Sequence, residues 1–326
     1  MKGWQVRDKG SAVFVDDLPE PECQAGEMVL QVDAAAANYA DRLLIDGKHQ
    51  IRPRRPFTAG LEVAGTVIES RADAVPVGTR VTGLVESGSG CWAERCRVSP
   101  RAVFAIPDGV DAVDAVAVNL NAQTVWLGLH HRSAVRPGEV VLVHAAAGGL
   151  GTMAVQLAVA AGARVIATCS ATKMDLPRRL GAELVVDSRS DDWHHLVEEA
   201  APDGIDIVLD PVGGQLFERS LKLLGFEGRL VTLGYASGTI PSMAANYALV
   251  KNLSLVGVFW EPYALHHRAI VEQAASDIFT LLRDGELDAC VTVIDHFENG
   301  LARVDAVAAG ETTGKTVLVW DDRRLG

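Results

Sequence analysis

The feature that most constrains the fold is a run of uncharged residues from Val140 to Ala163. Roughly 20 apolar residues in a helix are enough to cross a bilayer. However, Gly148, Gly149 and Gly151 separate a β-branched stretch from one rich in Ala, Leu, Val and Met. This pattern predicts a strand, a turn and a helix rather than a single long helix. We therefore expect a strand buried on both faces, as in a parallel sheet, and no membrane partner.

The net charge of −12 disfavours negatively charged partners. Nucleic acids and anionic membranes attract basic patches, and the sequence has no Lys/Arg cluster beyond the segment IRPRRPF, residues 51–57. The first ten residues, MKGWQVRDKG, carry charge and lack the apolar core of a signal peptide. We expect no nucleic-acid partner and a cytoplasmic location.

The cysteines and histidines form neither a disulfide framework nor a metal motif. The five cysteines are an odd number without a CxxC pair, which suits reduced thiols. Six of the nine histidines are adjacent doublets, and adjacent side chains point in different directions. Because structural zinc usually needs four convergent ligands, the sequence predicts no bound metal.

The middle of the chain alternates strand-like and helix-like segments. Its six β-branched runs are residues 140–145, 164–169, 183–187, 205–210, 229–234 and 253–259. This alternation predicts a doubly wound parallel sheet, and six such strands make one complete Rossmann domain.

The two ends of the chain follow another pattern. Residues 1–120 contain short strand-like segments with turn signals, such as LEVAGTVIES, which indicate a mainly antiparallel β unit. The C-terminal region has a helix-like stretch, 266–282, and two strand-like segments, CVTVIDHF and TGKTVLVW. Since the last strand needs a partner, we expect this region to return to the N-terminal β unit.

The loop after the first of the six runs has the residues of a phosphate-binding turn. Residues 146–151 read AAGGLG, an AxGxxG version of the dinucleotide fingerprint. Its glycines permit a tight turn and a close approach of the backbone to a pyrophosphate at the start of the next helix. Because the motif lies between a predicted strand and a predicted helix, we predict a dinucleotide at Gly148, Gly149, Leu150 and Gly151.

The end of the second run distinguishes the two nicotinamide cofactors. NAD enzymes place Asp or Glu there to bind the ribose hydroxyls, whereas this chain has Ser170, followed by Lys173. Without a carboxylate to repel a 2′-phosphate, and with a lysine to attract it, we predict NADPH. The alternative is that Ser170 caps the next helix and Lys173 lies in solvent. Pro177 should delay or bend that helix.

Several segments together carry a family resemblance. They are AAAGGLG with TMAVQLAVAAGARVIAT, NYADRLLIDGKHQ, PFTAGLEVAG, GIDIVLDPVGG, GRLVTLGYASG and TGKTVLV. These segments, which cover nearly the whole chain, resemble the zinc-independent medium-chain dehydrogenase/reductases, specifically the NADPH:quinone oxidoreductase (zeta-crystallin-like) family. The resemblance implies an α/β fold with a GroES-like, mainly β catalytic domain, residues 1–121 and 263–326. It also implies a Rossmann NADPH-binding domain at 122–262, with a doubly wound, parallel six-stranded sheet.

The resemblance also implies hydride transfer without a metal. Zinc alcohol dehydrogenases of this architecture bind zinc through a Cys and a Gly-His-Glu motif. This chain has Asn38 and Gly60-Leu61-Glu62 at those places. An amide and an alkyl group replace two ligands, which leaves Glu62 as a structural residue. The acceptor must then already be electrophilic, as quinones and activated alkenes are.

The resemblance assigns most of the remaining site residues to the cofactor. It implies that Tyr39, Ala40, Asp41 and Thr124 lie by the nicotinamide and that Asn38 also binds the cofactor. Further implied contacts are Leu233, Gly234, Tyr235, Ala236, Ser237, Gly257, Val258, Phe259, Trp260 and Lys315. From the residues alone, Gly234 and Gly257 suit close strand packing equally well.

Two positions depart from the family pattern. Where many relatives carry a Tyr at the 2′-phosphate, this chain has Ser188, with Arg189 beside it as a possible substitute. Where relatives carry an aromatic residue in the substrate loop, it has His49.

We expect an enzyme that reduces a quinone with NADPH. The alternative from the same features is reduction of an enone or enoyl thioester, since both acceptors leave an anion that needs a proton. Tyr39 and Asp41 are the candidate catalytic residues, and His49 is a third candidate because histidine titrates near neutral pH. The other interpretation of His49 is a solvated loop residue. A non-enzymatic alternative is an NADPH-binding structural or regulatory protein, in which an intact phosphate loop would be superfluous.

The resemblance further implies a homodimer. In it, the apolar run LSLVGVF, residues 253–259, would pair across a two-fold axis and cover an exposed sheet edge.

Overall fold

The computed structural model describes residues 1–72, 75–85 and 89–321, and the chain divides into two compact units. The first, here called the β unit, comprises Met1–Leu120, Ala264–Arg283 and Asp288–Gly326. The second, here called the α/β unit, comprises Asn121–Tyr263 and Asp284–Leu287. Both ends of the chain therefore belong to one unit.

The β unit is made of short strands with few helices. Its N-terminal strands are β1 (Gly3–Asp8), β2 (Ser11–Val15), β3 (Met28–Ala37), β4 (Phe57–Thr58), β5 (Glu62–Ser70), β6 (Arg80–Leu84), β7 (Arg95–Val98) and β8 (Val103–Ala105). Its helices are α1 (Tyr39–Ile45), the first part of α2 (Ala112–Trp126), α9 (Arg268–Arg283) and α10 (Gly300–Ala308). Its C-terminal strands are β15 (Val291–His296) and β16 (Lys315–Val319).

The strands of this unit form two sheets. The larger has the order β15-β16-β3-β5-β6-β8, with β7 also paired to β3, and the smaller has the order β2-β1-β4. All its pairs are antiparallel except β15 with β16. The last strand finds its predicted partner, because Val317 of β16 lies opposite Ala36 of β3.

Large apolar side chains fill the space between the sheets. Trp92, Met28, Leu30 and Phe297 are among the fully buried residues. The indole N–H groups of two tryptophans are satisfied, since that of Trp92 donates to the carbonyl oxygen of Ala36 at 3.1 Å and that of Trp4 to the carbonyl oxygen of Phe297 at 2.6 Å. This core fixes β3, whose last residue precedes the candidate site.

The α/β unit has six strands and helices between them. The strands are β9 (Val140–Val143), β10 (Arg164–Cys169), β11 (Leu184–Asp187), β12 (Ile205–Asp210), β13 (Leu224–Thr232) and β14 (Ser254–Gly257). The helices are α3 (Gly149–Ala160), α4 (Asp175–Arg179), α5 (Trp193–Ala200), α6 (Gly214–Leu223), α7 (Ala245–Lys251) and most of α8 (Trp260–His266). A π-helical segment, Leu127–Arg132, follows α2.

All pairs in this sheet are parallel, and the strand order is β11-β10-β9-β12-β13-β14. The order reverses between β9 and β12, which is the point where doubly wound sheets bind ligands. All four residues of β9 are buried, as the uncharged run indicated. The predicted fold class, a mainly antiparallel β unit with a parallel six-stranded Rossmann sheet, is confirmed.

Local details differ from the sequence-based expectations. The N-terminal hairpin β1–β2 had no predicted counterpart, and β14 covers only four residues of the run 253–259. The helix after β10 is short, since a 3₁₀ turn precedes α4 and Pro177 lies inside it. This is the delay that proline was expected to cause. Within the described ranges, no helix combines the length and apolarity needed to span a bilayer.

Candidate functional site

The predicted cofactor residues of the α/β unit follow the carboxyl ends of its parallel strands. Residues 148–151 follow β9, Ser170 and Lys173 follow β10, and Ser188 follows β11. Residues 233–237 follow β13, and Val258 to Trp260 follow β14. Carboxyl ends of parallel strands meet at one edge of a sheet, so the fold gathers these loops at that edge.

The loop between β9 and α3 is shaped by its glycines. Gly148 is the N-cap of α3, and the loop contains one left-handed non-glycine residue, Ala145, with φ of 49°. A Cβ atom on Gly151 would lie 2.2 Å from the Ala145 carbonyl oxygen, so only glycine fits there. At Gly148 the nearest atom to a Cβ would be 3.4 Å away, and this position lies open.

The start of α3 suits an anion. The first N–H groups of a helix have no acceptor within the helix, and the helix dipole is positive at that end. In α3 these are the N–H groups of Gly149, Leu150 and Gly151, because the Thr152 N–H already donates to the Gly148 carbonyl oxygen at 2.9 Å. The loop therefore fits the pyrophosphate of a dinucleotide.

The first residue of the loop between β9 and α3 is a buried histidine. His144, the residue after β9, is fully buried, with Nδ1 2.8 Å from Thr168 Oγ1 and Nε2 2.7 Å from Ser220 Oγ. The Ser220 hydroxyl donates to the Leu216 carbonyl oxygen at 2.7 Å, so it accepts from His144 Nε2–H and leaves Nδ1 to accept from Thr168. This network needs a neutral ring, and burial lowers the pKa of His144.

The ends of β10 and β11 form the region predicted to bind a 2′-phosphate. The Ser188 N–H donates to the Cys169 carbonyl oxygen at 2.8 Å, which joins the two loops. Ser170 precedes a 3₁₀ turn, but its hydroxyl does not cap that turn. The capping role considered for Ser170 is therefore absent here.

Positive charge is present in this region. Burial raises the pKa of the Cys169 thiol to about 11, as does Asp187, whereas Arg178 and Lys173 act in the opposite direction. Both cations thus lie close to the end of β10. The sequence had suggested Lys173 but not Arg178, whose position on α4 depends on where the short helix begins. The Arg189 side chain is exposed on the loop after β11.

The loops after β12 and β13 run side by side. Asp210, the fully buried last residue of β12, accepts through Oδ1 from the N–H groups of Val212 at 2.8 Å and Gly213 at 2.9 Å. The Leu233 N–H donates to the Asp210 carbonyl oxygen at 2.9 Å, and the Ala236 N–H to that of Pro211 at 3.0 Å. The predicted segment 233–237 is therefore held by the backbone of the β12 loop.

The segment after β14 is partly anchored and partly exposed. The indole N–H of Trp260, which is buried, donates to Gln123 Oε1 at 3.0 Å on α2. Thr124, the next residue of α2, is also buried. Phe259 is about half exposed, at 49 %.

In the β unit, three buried side chains form what is called here the Lys315 triangle: Asn38, Glu62 and Lys315. Lys315 Nζ donates to Asn38 Oδ1 at 2.8 Å and to Glu62 Oε2 at 2.9 Å. Asn38 Nδ2 donates to the same glutamate oxygen at 3.0 Å. The other oxygen, Oε1, accepts from the Leu120 N–H at 2.6 Å. Glu62 is therefore structural, as expected, and the Lys315 ammonium lies among protein acceptors.

Asp41 lies beside this triangle and is almost fully buried. Its Oδ2 accepts from the Asn38 N–H at 2.8 Å, whereas no hydrogen-bond partner for Oδ1 is found among the described residues. Burial, with a smaller contribution from Glu62, raises the pKa of Asp41 to about 7, while the Asn38 N–H, Lys315 and the Leu61 N–H oppose the rise. This carboxyl group therefore exchanges a proton near neutral pH.

A small cavity adjoins Asp41. Its volume is about 10 Å³, and its lining includes Asp41, Leu44, Phe57, Leu61 and Val85. This is roughly the space that one buried water needs. A carboxyl group next to a mostly apolar cavity of this size is well placed to hold or pass a proton.

The two other catalytic candidates lie at opposite ends of α1. Tyr39 is the first residue of the helix and is partly exposed. His49 follows α1 in a loop, where its Nδ1 accepts from the Ile51 N–H at 3.1 Å and burial lowers its pKa. His49 is thus a neutral, half-buried residue at neutral pH.

At the positions where the resemblance implies zinc ligands in alcohol dehydrogenases, the side chains of the β unit do not fit a zinc ion. Asn38 and Leu61 replace thiolate and imidazole, and the Glu62 carboxylate is bonded to Lys315 and Leu120. Across the described part of the chain, no three His, Cys, Asp or Glu side chains are grouped to hold a metal ion.

Comparisons with known proteins agree with this architecture. Residues 24–108 match the model of the alcohol dehydrogenase GroES-like domain, and residues 149–276 match that of the zinc-binding dehydrogenase family. A quinone oxidoreductase-like protein 2 homolog from Nematostella vectensis is 33 % identical over 283 residues, which cover 85 % of this chain and 77 % of that protein.

Solved structures show the same likeness. The quinone oxidoreductase of Thermus thermophilus, also solved in complex with NADPH, is 37 % identical, with a TM-score of 0.84 over 98 % of this chain and 100 % of that one. A mycobacterial protein solved in complex with NADPH is 28 % identical, with a TM-score of 0.90 over 98 % of this chain and 99 % of that one.

Proposed function

Because the chain belongs to the quinone oxidoreductase-like family of medium-chain dehydrogenase/reductases, we propose that this oxidoreductase reduces a quinone with NADPH. The observation that carries the proposal is the phosphate loop between β9 and α3, with Ser170 and Lys173 after the next strand. The relatives from Thermus thermophilus and a mycobacterium, both solved with NADPH, support the choice of cofactor.

The residues of the α/β unit fit NADPH in three places. The N–H groups of Gly149, Leu150 and Gly151 would hold the pyrophosphate. Ser170, Lys173 and Ser188 would hold the 2′-phosphate. Arg178 would add a contact that replaces the one made by a tyrosine in many relatives. The segment 233–237 and residues 257–260 would line the path toward the nicotinamide. When bound, the cofactor supplies the hydride.

The acceptor in this proposal is one that needs no Lewis acid. Positions 38 and 61 offer an amide and an alkyl group, so the chain's own donor set does not activate an alcohol or aldehyde through zinc. A quinone is electrophilic without such help. Reduction by hydride gives a hydroquinone anion, which then takes up a proton at oxygen.

Asp41 is the group best suited to deliver that proton. Its pKa of about 7 keeps a large fraction protonated at neutral pH. General acids work best with a pKa near the working pH. In this proposal Asp41 donates, Tyr39 contacts the substrate end of the cofactor, and His49 has a secondary role in the substrate loop. The other predicted cofactor contacts, Asn38, Ala40, Thr124 and Lys315, stay predictions.

The proposal also includes a homodimer formed through the sheet edge at β14. This strand is the last in the sheet order, and an unpaired edge is a template for association. Apolar side chains are exposed on it and on the preceding helix, with Leu255 at 48 % and Leu249 at 79 %.

The test is a panel of NADPH oxidation assays with a benzoquinone, a naphthoquinone, a simple enone and a short enoyl-CoA. Wild type is compared with Asp41→Asn and His49→Phe, and Asp46→Asn serves as the control acid at the other end of α1. We expect quinone turnover that falls in Asp41→Asn and persists in Asp46→Asn. An unchanged rate in His49→Phe would remove that residue from the mechanism.

Two results would contradict the proposal. Strong enoyl-CoA turnover with negligible quinone reduction would assign the chain as an alkene reductase. NADPH binding without oxidation by any acceptor would favour a structural or regulatory role.

A further inference from the structure

The family resemblance implies that the Lys315 triangle lies at the positions where zinc alcohol dehydrogenases hold their metal. Asn38 stands at the place of the cysteine ligand, and Glu62 is the last residue of the Gly-Leu-Glu segment that replaces Gly-His-Glu. Lys315 Nζ is within 3 Å of both side chains, at 2.8 and 2.9 Å. A positive charge therefore occupies the point between these two positions.

We propose that the Lys315 ammonium is a built-in cation that takes the place of a divalent metal and excludes one from this site. The inference concerns the metal selectivity of the β unit and is independent of which acceptor the enzyme reduces.

The negative charge of the Glu62 carboxylate requires a nearby positive charge and hydrogen-bond donors. A buried carboxylate is costly unless it is paired and hydrogen-bonded, and Glu62 is fully buried. Lys315 supplies the positive charge and one donor to the Glu62 carboxylate, Asn38 Nδ2 a second donor, and the Leu120 N–H a third. A divalent ion at the same place would face the ammonium at short range and lose Glu62 as a free ligand.

The triangle also explains why an amide stands at position 38. Asn38 presents its oxygen to Lys315 and its NH₂ group to Glu62, so that one side chain serves both charges. A thiolate at this position has no donor for the glutamate, and a carboxylate would add negative charge beside Glu62 and Asp41. Asn38 is also the N-cap of α1.

The experiment restores metal ligands with and without the lysine. The double variant Asn38→Cys/Leu61→His supplies thiolate, imidazole and Glu62, and the triple variant adds Lys315→Met. Binding of Co²⁺ is titrated through its visible absorption bands, and zinc is counted by elemental analysis. We expect the triple variant to bind one Co²⁺ per chain at least about 100-fold tighter than the double variant, because like charges at contact distance repel strongly at low dielectric constant.

Two controls separate charge from other effects of the change. Lys48→Met, at an exposed lysine of the same unit, replaces Lys315→Met in a second triple variant and should leave Co²⁺ binding as weak as in the double variant. Lys315→Gln keeps a hydrogen-bond donor without the charge and replaces Lys315→Met if that variant does not fold.

Equal Co²⁺ affinity in the double and triple variants would overturn the proposal, and so would tight binding by the double variant alone. Absence of binding in every variant would overturn it as well, because these positions would then fail to bind a metal even without Lys315. None of these readouts depends on quinone reduction, so a failure of the proposed function leaves the result interpretable.

Discussion

The Ser188 N–H donates to the carbonyl oxygen of Cys169 at 2.8 Å, which ties the loop after β11 to the end of β10. Ser170 and Lys173 follow directly on the same loop as Cys169. The hydrogen bond thus brings together the residues predicted from two separate sequence segments to bind the 2′-phosphate. Preference for NADPH over NADH should depend on this junction.

We expect wild type to bind NADPH at least about tenfold tighter than NADH, because a charge-assisted phosphate contact is worth roughly 1.5–3 kcal/mol. Lys173→Ala should remove most of this difference in affinity, because it should weaken the binding of NADPH and leave that of NADH unchanged. Fluorescence titration of both cofactors measures it, with Lys222→Ala, an exposed lysine on α6, as the control. Equal affinities for the two cofactors in wild type would contradict the assignment of Ser170 and Lys173.

Two glycines of the phosphate loop should respond differently to the same change. Gly151→Ala places a Cβ 2.2 Å from a backbone oxygen, so it should lower the melting temperature of the protein. At Gly148 the backbone is extended, with φ −88° and ψ 175°, and there is room for a methyl group. Gly148→Ala should therefore keep the melting temperature but weaken NADPH binding, since the added methyl faces the approaching pyrophosphate. A loss of stability in Gly148→Ala equal to that in Gly151→Ala would contradict this distinction.

The α/β unit was predictable because its signals are local. Each strand of the parallel sheet is a short β-branched run, and the glycine loop marks where β9 ends and α3 begins. Asp210 and His144 also carried a signal, since each is a polar residue at the end of an apolar strand. Their partners were not predictable: Ser220, which contacts His144, is 76 residues away along the chain.

The Lys315 triangle was beyond prediction from the residues alone for the same reason. Lys315 and Glu62 are separated by 253 residues and meet only because β16 pairs with β3, next to β5. The family resemblance assigned Lys315 to the cofactor, and only the packed sheet shows its ammonium between Asn38 and Glu62. The small cavity at Asp41 likewise depends on side chains from four separate segments.

The buried His144 should make the protein less stable in acid. Its folded-state pKa is lowered by burial, whereas histidine in an unfolded chain titrates near 6.5. The unfolded state therefore binds more protons below about pH 6.5, and stability falls as the pH decreases through that range.

The variant His144→Gln keeps a hydrogen-bond donor and an acceptor but does not titrate. It should narrow the difference in melting temperature between pH 7.5 and pH 5, whereas His195→Gln, at an exposed site on α5, should not. An unchanged difference in His144→Gln would exclude this residue as the source.

Dimer formation should depend on the β14 edge. A charge in the middle of an edge strand blocks pairing, so Leu255→Lys should convert the dimer to a monomer in light scattering at micromolar concentration. Leu196→Lys is a matched control, since Leu196 on α5 is 44 % exposed and Leu255 is 48 % exposed. A wild-type monomer, or dissociation by both variants alike, would contradict an interface at β14.

Asp41 should make the protein less stable as the pH rises, which is the opposite of the effect of His144. Its pKa rises from 3.8 to about 7 on folding, so between these values the folded state binds a proton that the unfolded state has released. The stabilisation is complete below pH 4 and is lost as the pH rises through 7, at about 1.4 kcal/mol for each unit of pKa difference.

Asp41→Asn cannot ionise, so its melting temperature relative to wild type should increase from pH 5 to pH 8. For Asp46→Asn the difference in melting temperature from wild type should stay constant from pH 5 to pH 8 and shrink only in acid, because hydrogen bonds from Arg42 and Lys48 lower the pKa of Asp46 in spite of partial burial. In NADPH oxidation assays with a quinone, the change in turnover rate with pH near pH 7 should disappear in Asp41→Asn. A change in rate that persists near pH 7 in this variant would show that another group donates the proton.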